Sequence, residues 1–99
     1  LMARFDVHRT GDGTLVLDCQ ADMLASLHTR VVAPLFPPEI EPRVSERLNP
    51  MLQINGEGYV LYPQFIAAVS AEELGAPVTS LAREDMRILS ALDMLMSGF

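Results

Sequence analysis

The chain has no lysine, no tryptophan, one cysteine and two histidines among its 99 residues. Each shortage closes a class of function. A lone Cys19 cannot form a disulfide within the chain, which fits a reducing cytoplasm, the expected location. His8, His28 and Cys19 lie apart, and no C-x-x-C or H-x-x-x-H spacing occurs, so neither a metal nor a cofactor is expected. Seven scattered arginines against thirteen acids leave a net charge of −6 and no basic run. Direct nucleic-acid binding needs a basic footprint and is not expected. No apolar run spans a bilayer and no apolar leader opens the chain, so no membrane partner is expected.

Catalytic signatures are missing as well. No nucleophile elbow, Walker or dinucleotide-binding pattern occurs. The acidic pairs Glu72-Glu73 and Glu84-Asp85 fall at element edges, where carboxylates are solvated or face a helix dipole. Acid–base work would require one member of a pair to be buried. Catalysis by either pair is therefore not expected.

What is present is apolar. Hydrophobic residues make up 49% of the chain and the mean hydropathy is +0.23, high for a small soluble protein. One domain is expected over residues 2–99, with Leu1, ahead of Met2, left out of the fold reading. Such a composition suggests apolar surface hidden in an oligomer. The acidic balance suits a basic protein or peptide partner.

Phe5 and Val7 alternate with polar neighbours, and so do Leu15, Leu17 and Cys19. Gly11-Asp-Gly13 between them marks a turn, so a β-hairpin with one buried face is expected. His8 is then a solvent-facing strand residue. Ala21–Arg30 reads as a loop or short turn carrying the exposed pair Met23-Leu24, with His28 a loop residue. Val31–Leu35 is a third strand, and Pro34, which cannot donate to a ladder, places it at an edge or gives it a bulge. Pro37, Pro38 and Pro42 force an irregular connection. Met51–Ile54 and Tyr59–Tyr62 flank Asn55-Gly56, a strong hairpin signal because both residues accept positive φ. Phe65–Ser70 is a further strand.

The final segment reads as a helix from an N-cap at Ser80 to a glycine stop at Gly98. Leu81, Ile88, Leu92, Leu95 and Phe99 share one stripe; Leu89, Asp93 and Met96 form the next. No charge occurs from Met94 to Phe99, so this end must dock on its own core, on a second copy or on a partner. Asp93 is read as an exposed acid or as a hydrogen-bonding anchor inside an apolar binding patch. Strands first and one helix last predict an α+β or barrel-like domain.

The order and spacing of Phe5-x-Val7, Leu15-x-Leu-Asp-x-Gln-Ala-Asp22, Arg30-Val-Val-x-Pro-Leu35, Leu48-Asn-Pro-Met-Leu52 and Ile88-x-x-Ala-Leu-x-x-Leu-x-x-Gly98 resembles the CcdB family, toxins of type II toxin–antitoxin pairs. The resemblance implies an α+β, mainly β domain: an SH3-like antiparallel β-barrel or sheet with a long C-terminal helix. It implies a homodimer that binds the DNA gyrase A subunit and traps the gyrase–DNA cleavage complex. It also implies neutralisation by a cognate antitoxin whose disordered C-terminal region wraps the dimer. By position, the gyrase-facing residues fall on Met23, Leu24, Asp93, Met96, Ser97, Gly98 and Phe99. The antitoxin contact falls on the loop His8, Arg9, Thr10, Gly11, Asp12 and Gly13.

The chain departs from the family at its end. Where the family toxin has tryptophan-glycine-isoleucine, this chain has Ser97-Gly98-Phe99, and Asp93 stands where the familiar toxin carries a neutral amide. A serine cannot stack as the tryptophan does. Two alternatives follow: a CcdB-fold protein that binds an antitoxin but has lost gyrase poisoning, and a MazF-like ribonuclease toxin. The second needs a basic RNA groove, against which the charge of −6 argues.

Overall fold

The computed structural model describes residues 2–98. Seven strands and one helix follow in chain order: β1 (Asp6–Arg9), β2 (Leu15–Asp18), β3 (Thr29–Phe36), β4 (Met51–Ile54), β5 (Glu57–Leu61), β6 (Ala67–Ser70), β7 (Thr79–Ser80) and α1 (Asp85–Ser97). Short 3-10 turns occupy Asp22–Leu24, Pro63–Phe65, Ala71–Glu73 and Ala82–Glu84. The strands form one antiparallel sheet in the order β4-β5-β3-β2-β1-β7, with β6 also paired to β3, and it curls into a nearly closed barrel. The expected α+β barrel with a C-terminal helix is the observed fold.

The Asn55-Gly56 signal holds: both residues take positive φ, 51° and 86°, and Ile54 pairs with Glu57. The β1–β2 hairpin also forms, with Val7 opposite Leu17. Its burial differs from expectation. One face of the hairpin joins the main core of Phe5, Val7, Leu15, Leu17, Ala33, Leu35, Leu52 and Leu61, under Leu81 and Ile88. The other face is buried too, because Leu74, in the connection after β6, folds over Val16 and Val32.

That second face corrects the reading of His8. The side chain is fully buried, and its Nδ1 donates to the carbonyl of Gly75 at 2.8 Å. Gly75 N–H in turn donates to the Arg9 carbonyl, so the 71–78 segment lies against β1 and shuts out solvent. Period-2 alternation marks strand faces but says nothing of a distant loop that returns to cover one. His28 is exposed, in the loop position expected for it.

Pro34 is corrected too. β3 is central, flanked by β2 on one side and by β5 and β6 on the other. The Pro34 carbonyl accepts from Tyr62 N–H at 3.0 Å. In an extended strand a residue's nitrogen and carbonyl point to the same side. The nitrogen of Pro34 therefore faces the junction where β6 pairing ends at Val32 and β5 pairing starts at Leu35, and no bond to β2 is lost.

The α-helix starts later than the periodicity suggests. Val78 N–H donates to Val7 and Leu81 N–H to Phe5, which holds residues 79–80 as a strand. The Ser80 hydroxyl accepts from Ala82 N–H at 3.2 Å and so opens the 3-10 turn, while α1 begins at Asp85. The stop is as expected: Gly98 is left-handed at φ 78°, and its N–H donates to the Met94 carbonyl. Ile88 and Ala91 are buried, and Leu92 and Leu95 half-buried, so the inner stripe docks on the barrel. Phe99 lies outside the described residues.

Candidate functional site

The segment between β2 and β3 presents an apolar tip. Met23 is 88% exposed, Leu24 47% and Leu27 49%. Such exposure would ordinarily go with a loose loop, yet polar side chains beneath fix this one. Asp18 and Arg30, both fully buried, form an ion pair in which Arg30 Nε and Nη2 donate to Asp18 Oδ2. Asp18 Oδ1 accepts from Gln20 N–H at 3.0 Å. The Gln20 amide then spans the loop, taking Val31 N–H at 3.1 Å and donating to the Leu24 carbonyl at 2.9 Å. Asp22 accepts from Arg4 N–H at 2.8 Å. Asp18, Gln20 and Asp22 thus clamp the turn that displays Met23 and Leu24. Single-sequence reasoning names the two apolar residues and misses the clamp, although its signal is present in the Asp-x-Gln-x-Asp spacing.

A second exposed group lies on the last turns of α1: Asp93, Met96 at 78% exposure, Ser97 and Gly98. Met96 leaves most of its apolar surface uncovered, as a residue that meets a partner would. Asp93 is exposed, the simpler of its two readings. Among the described residues no hydrogen bond or ion pair joins this group to Met23 and Leu24.

The third feature is the β1–β2 turn. Thr10, Gly11 and Asp12 line a shallow groove of about 570 Å³ together with Glu72 and Glu73. The structure thus brings one acidic pair beside the candidate loop, a pairing that sequence distance conceals. Arg9 is exposed and donates to the Gly13 carbonyl at 2.9 Å, which closes the turn. His8 does not belong with these residues as a contact, since its side chain is fully buried. The Thr10 hydroxyl, and behind it the Thr14 N–H, donate to the Asp12 carboxylate and hold its pKa down at about 2. The folded value lies below the ordinary 3.8, so the turn's stabilisation is complete above that value and is lost as pH falls through about 2. An NMR titration of the Asp12 carboxyl carbon is expected to show a midpoint near 2, and one at 3.8 would mean that these bonds do not persist in solution.

A smaller groove of about 220 Å³ runs between the 46–50 turn and α1, lined by Glu46, Arg47, Pro50, Met86, Arg87 and Ser90. Its arginines are engaged, Arg47 with the Ser90 hydroxyl and Arg87 with the Met51 carbonyl. Cys19 is buried and its thiol is pushed up to about 12 by desolvation, which makes it unreactive. Among the described residues, no three His, Cys, Asp or Glu side chains gather as metal ligands would. No helix among them is long and apolar enough to cross a membrane.

The family model described as CcdB protein matches residues 4–98. No curated protein matches the sequence. Among solved structures, an endoribonuclease from a mycobacterial species is similar at a TM-score of 0.76 and 18% identity, with 94% of this chain and 88% of that one covered. A mycobacterial endoribonuclease in complex with its cognate antitoxin is similar at 0.76 and 19%, covering 95% and 93%. The Mycobacterium tuberculosis toxin MazF-mt6 is similar at 0.73 and 18%, covering 89% and 92%. At such identities these structures establish the shared fold and nothing about activity.

Proposed function

This chain belongs to the CcdB family, and on that premise we propose that it is the toxin of a type II toxin–antitoxin pair, acting on the DNA gyrase A subunit. The observation that carries the reading is a family match over nearly the whole chain, residues 4–98. The exposed apolar residues Met23, Leu24 and Met96 support it, since a protein target needs such anchors. The mechanism is trapping: preferential binding of the gyrase–DNA cleavage complex shifts gyrase toward that state. The chain supplies no bond chemistry, and it acts as a cytoplasmic homodimer. The test is purified gyrase from the chain's own host with relaxed DNA: added protein is expected to accumulate cleaved DNA, and cognate antitoxin to abolish the effect.

Two other readings each rest on one observation. Ser97 in place of the family tryptophan favours a binder that has lost poisoning. The endoribonuclease neighbours favour RNA cleavage. Incubation of the pure protein with RNA separates that case, because cleavage without gyrase would replace trapping as the activity.

For the antitoxin, the groove of Thr10, Gly11, Asp12, Glu72 and Glu73 is the proposed contact, suited to a flexible basic peptide. Electrostatic steering makes association sensitive to screening. The association rate is expected to fall about tenfold between low and physiological salt. A rate indifferent to salt would remove the acidic groove from the encounter.

A further inference from the structure

Residues 71–78 form a strap across the second face of the β1–β2 hairpin. Backbone bonds tie its ends: Ala71 N–H donates to the His28 carbonyl at 2.8 Å and Val78 N–H to the Val7 carbonyl at 2.7 Å. Between them the strap is held at two neighbouring residues. Leu74 is buried over Val16 and Val32. Gly75 N–H reaches the Arg9 carbonyl at 3.3 Å, and the Gly75 carbonyl accepts from His8 Nδ1 at 2.8 Å. Among the described residues, His8 supplies the one side-chain hydrogen bond from β1 to the strap.

The site is unfavourable for an imidazole. His8 is fully buried, opposite Val16 in the β1–β2 register, and its Nε2 has no hydrogen-bond partner. Burying a polar atom without a partner is costly. A leucine would fill the site without that cost, so what the imidazole adds is the bond to Gly75. A carbonyl only accepts, so Nδ1 carries the hydrogen. His8 thus fixes the middle of the strap. Glu72 and Glu73 stand three and two residues before Gly75, exposed, and line the groove with Thr10, Gly11 and Asp12.

We infer that His8 is a positioning residue for a basic peptide in this groove: through Gly75 it sets the strap, and with it Glu72 and Glu73, against Asp12. The inference rests on the antitoxin contact in the proposed function and names what builds that contact. His8 itself touches no peptide, because its side chain is sealed. The charges make the strap decisive. Asp12 stands on the β1–β2 turn, where Thr10 and Thr14 hold it, and the other two acids of the groove stand on the strap. Attraction to a cation falls with distance, and physiological salt screens it beyond about 8 Å. A strap that leaves β1 therefore takes two of the three charges with it, and the turn alone keeps one.

The test uses the full chain and a labelled hexalysine peptide, with binding and its salt dependence read by fluorescence anisotropy and amide exchange read at Gly75. His8→Leu removes the donor. His8→Asn places an amide nitrogen two bonds from Cβ, as Nδ1 is, and His8→Gln places it three bonds away, at the reach of Nε2. Glu72→Gln with Glu73→Gln removes the strap's charges directly. Circular dichroism checks that every variant folds. The double glutamine variant is expected to weaken hexalysine binding about tenfold at low salt, the loss of two exposed ion pairs, and to flatten its salt dependence. His8→Leu and His8→Gln are expected to do the same and to speed exchange at Gly75, while His8→Asn stays within about threefold of the wild type. If His8→Leu does not fold, the contrast between Asn and Gln decides alone. Equal losses for Asn and Gln, or wild-type binding by a folded His8→Leu, would overturn the positioning role and leave the groove standing. A wild type that does not bind, or binding indifferent to the double substitution, would overturn the groove and the role of His8 with it.

Discussion

Asp18→Asn is expected to lower the stability of the folded chain by about 3–5 kcal/mol, the range for removing one partner of a buried ion pair. The substitution keeps size and shape and retains an oxygen for Gln20 N–H, so the loss reports the charge. Arg30 is left fully buried with no countercharge. At about 4 °C or more per kcal/mol for a domain of this size, the melting temperature should drop by at least about 12 °C. Replacing both partners, Asp18→Leu with Arg30→Met, removes the uncompensated charge and should recover most of that loss, because an apolar pair of similar volume is often neutral. Urea unfolding of the two variants checks the pair. A loss below about 1 kcal/mol for Asp18→Asn would mean that water reaches Arg30 and the pair is not sealed. The same variant should raise amide exchange in Asp22–Leu24, since Asp18 holds Gln20 and Gln20 holds the Leu24 carbonyl.

That clamp shows where sequence reading stops. Met23 and Leu24 are legible because two apolar residues in a polar turn stand out. Gly98 and Asn55-Gly56 are legible because backbone conformation restricts which residues fit. Asp18 and Arg30 are twelve positions apart on different strands, and only the β2–β3 register, with Asp18 opposite Val32, brings them together. Each reads alone as a solvated charge. His8 fails for a related reason: the Leu74–Val78 segment that covers it is far away in sequence and its return is not encoded near β1. The Thr10–Asp12 turn is read correctly as a turn, but its acidic neighbours Glu72 and Glu73 arrive through the same distant segment. Phe5 carries a further hidden feature, a positive φ of 70° that a bulky residue rarely takes. Bonds from Phe5 N–H to Asp18 and from Leu81 N–H to Phe5 hold it there, and no local pattern announces them. Local rules thus recover elements and turns, while the long-range contacts that fix the candidate surfaces depend on pairing register.

Ser97→Trp is the substitution expected to change function most. Ser97 is the last residue of α1, exposed, and followed by the left-handed Gly98 that ends the helix. A tryptophan placed there is presented to solvent beside Met96, as an anchor needs, and should change folding stability by no more than about 0.5 kcal/mol. An aromatic hot spot contributes about 2 kcal/mol or more, roughly thirtyfold in affinity. The wild type is therefore expected to bind an enteric gyrase A subunit weakly and to trap little cleaved DNA, and Ser97→Trp to bind at least about thirtyfold tighter and to trap measurably more. Asp93 lies one helical turn back from Ser97, exposed, with a charge that alters the match to the target surface. Asp93→Asn alone should have a smaller effect, and the two substitutions combined the largest. Supercoiling inhibition and trapped-cleavage assays with purified gyrase provide the measurement. Strong poisoning by the wild type would mean that Met23, Leu24 and Met96 suffice without an aromatic residue at position 97. No poisoning by the double variant would remove the enteric gyrase as a target of this chain and leave the gyrase of its own host and the antitoxin as the proposed partners.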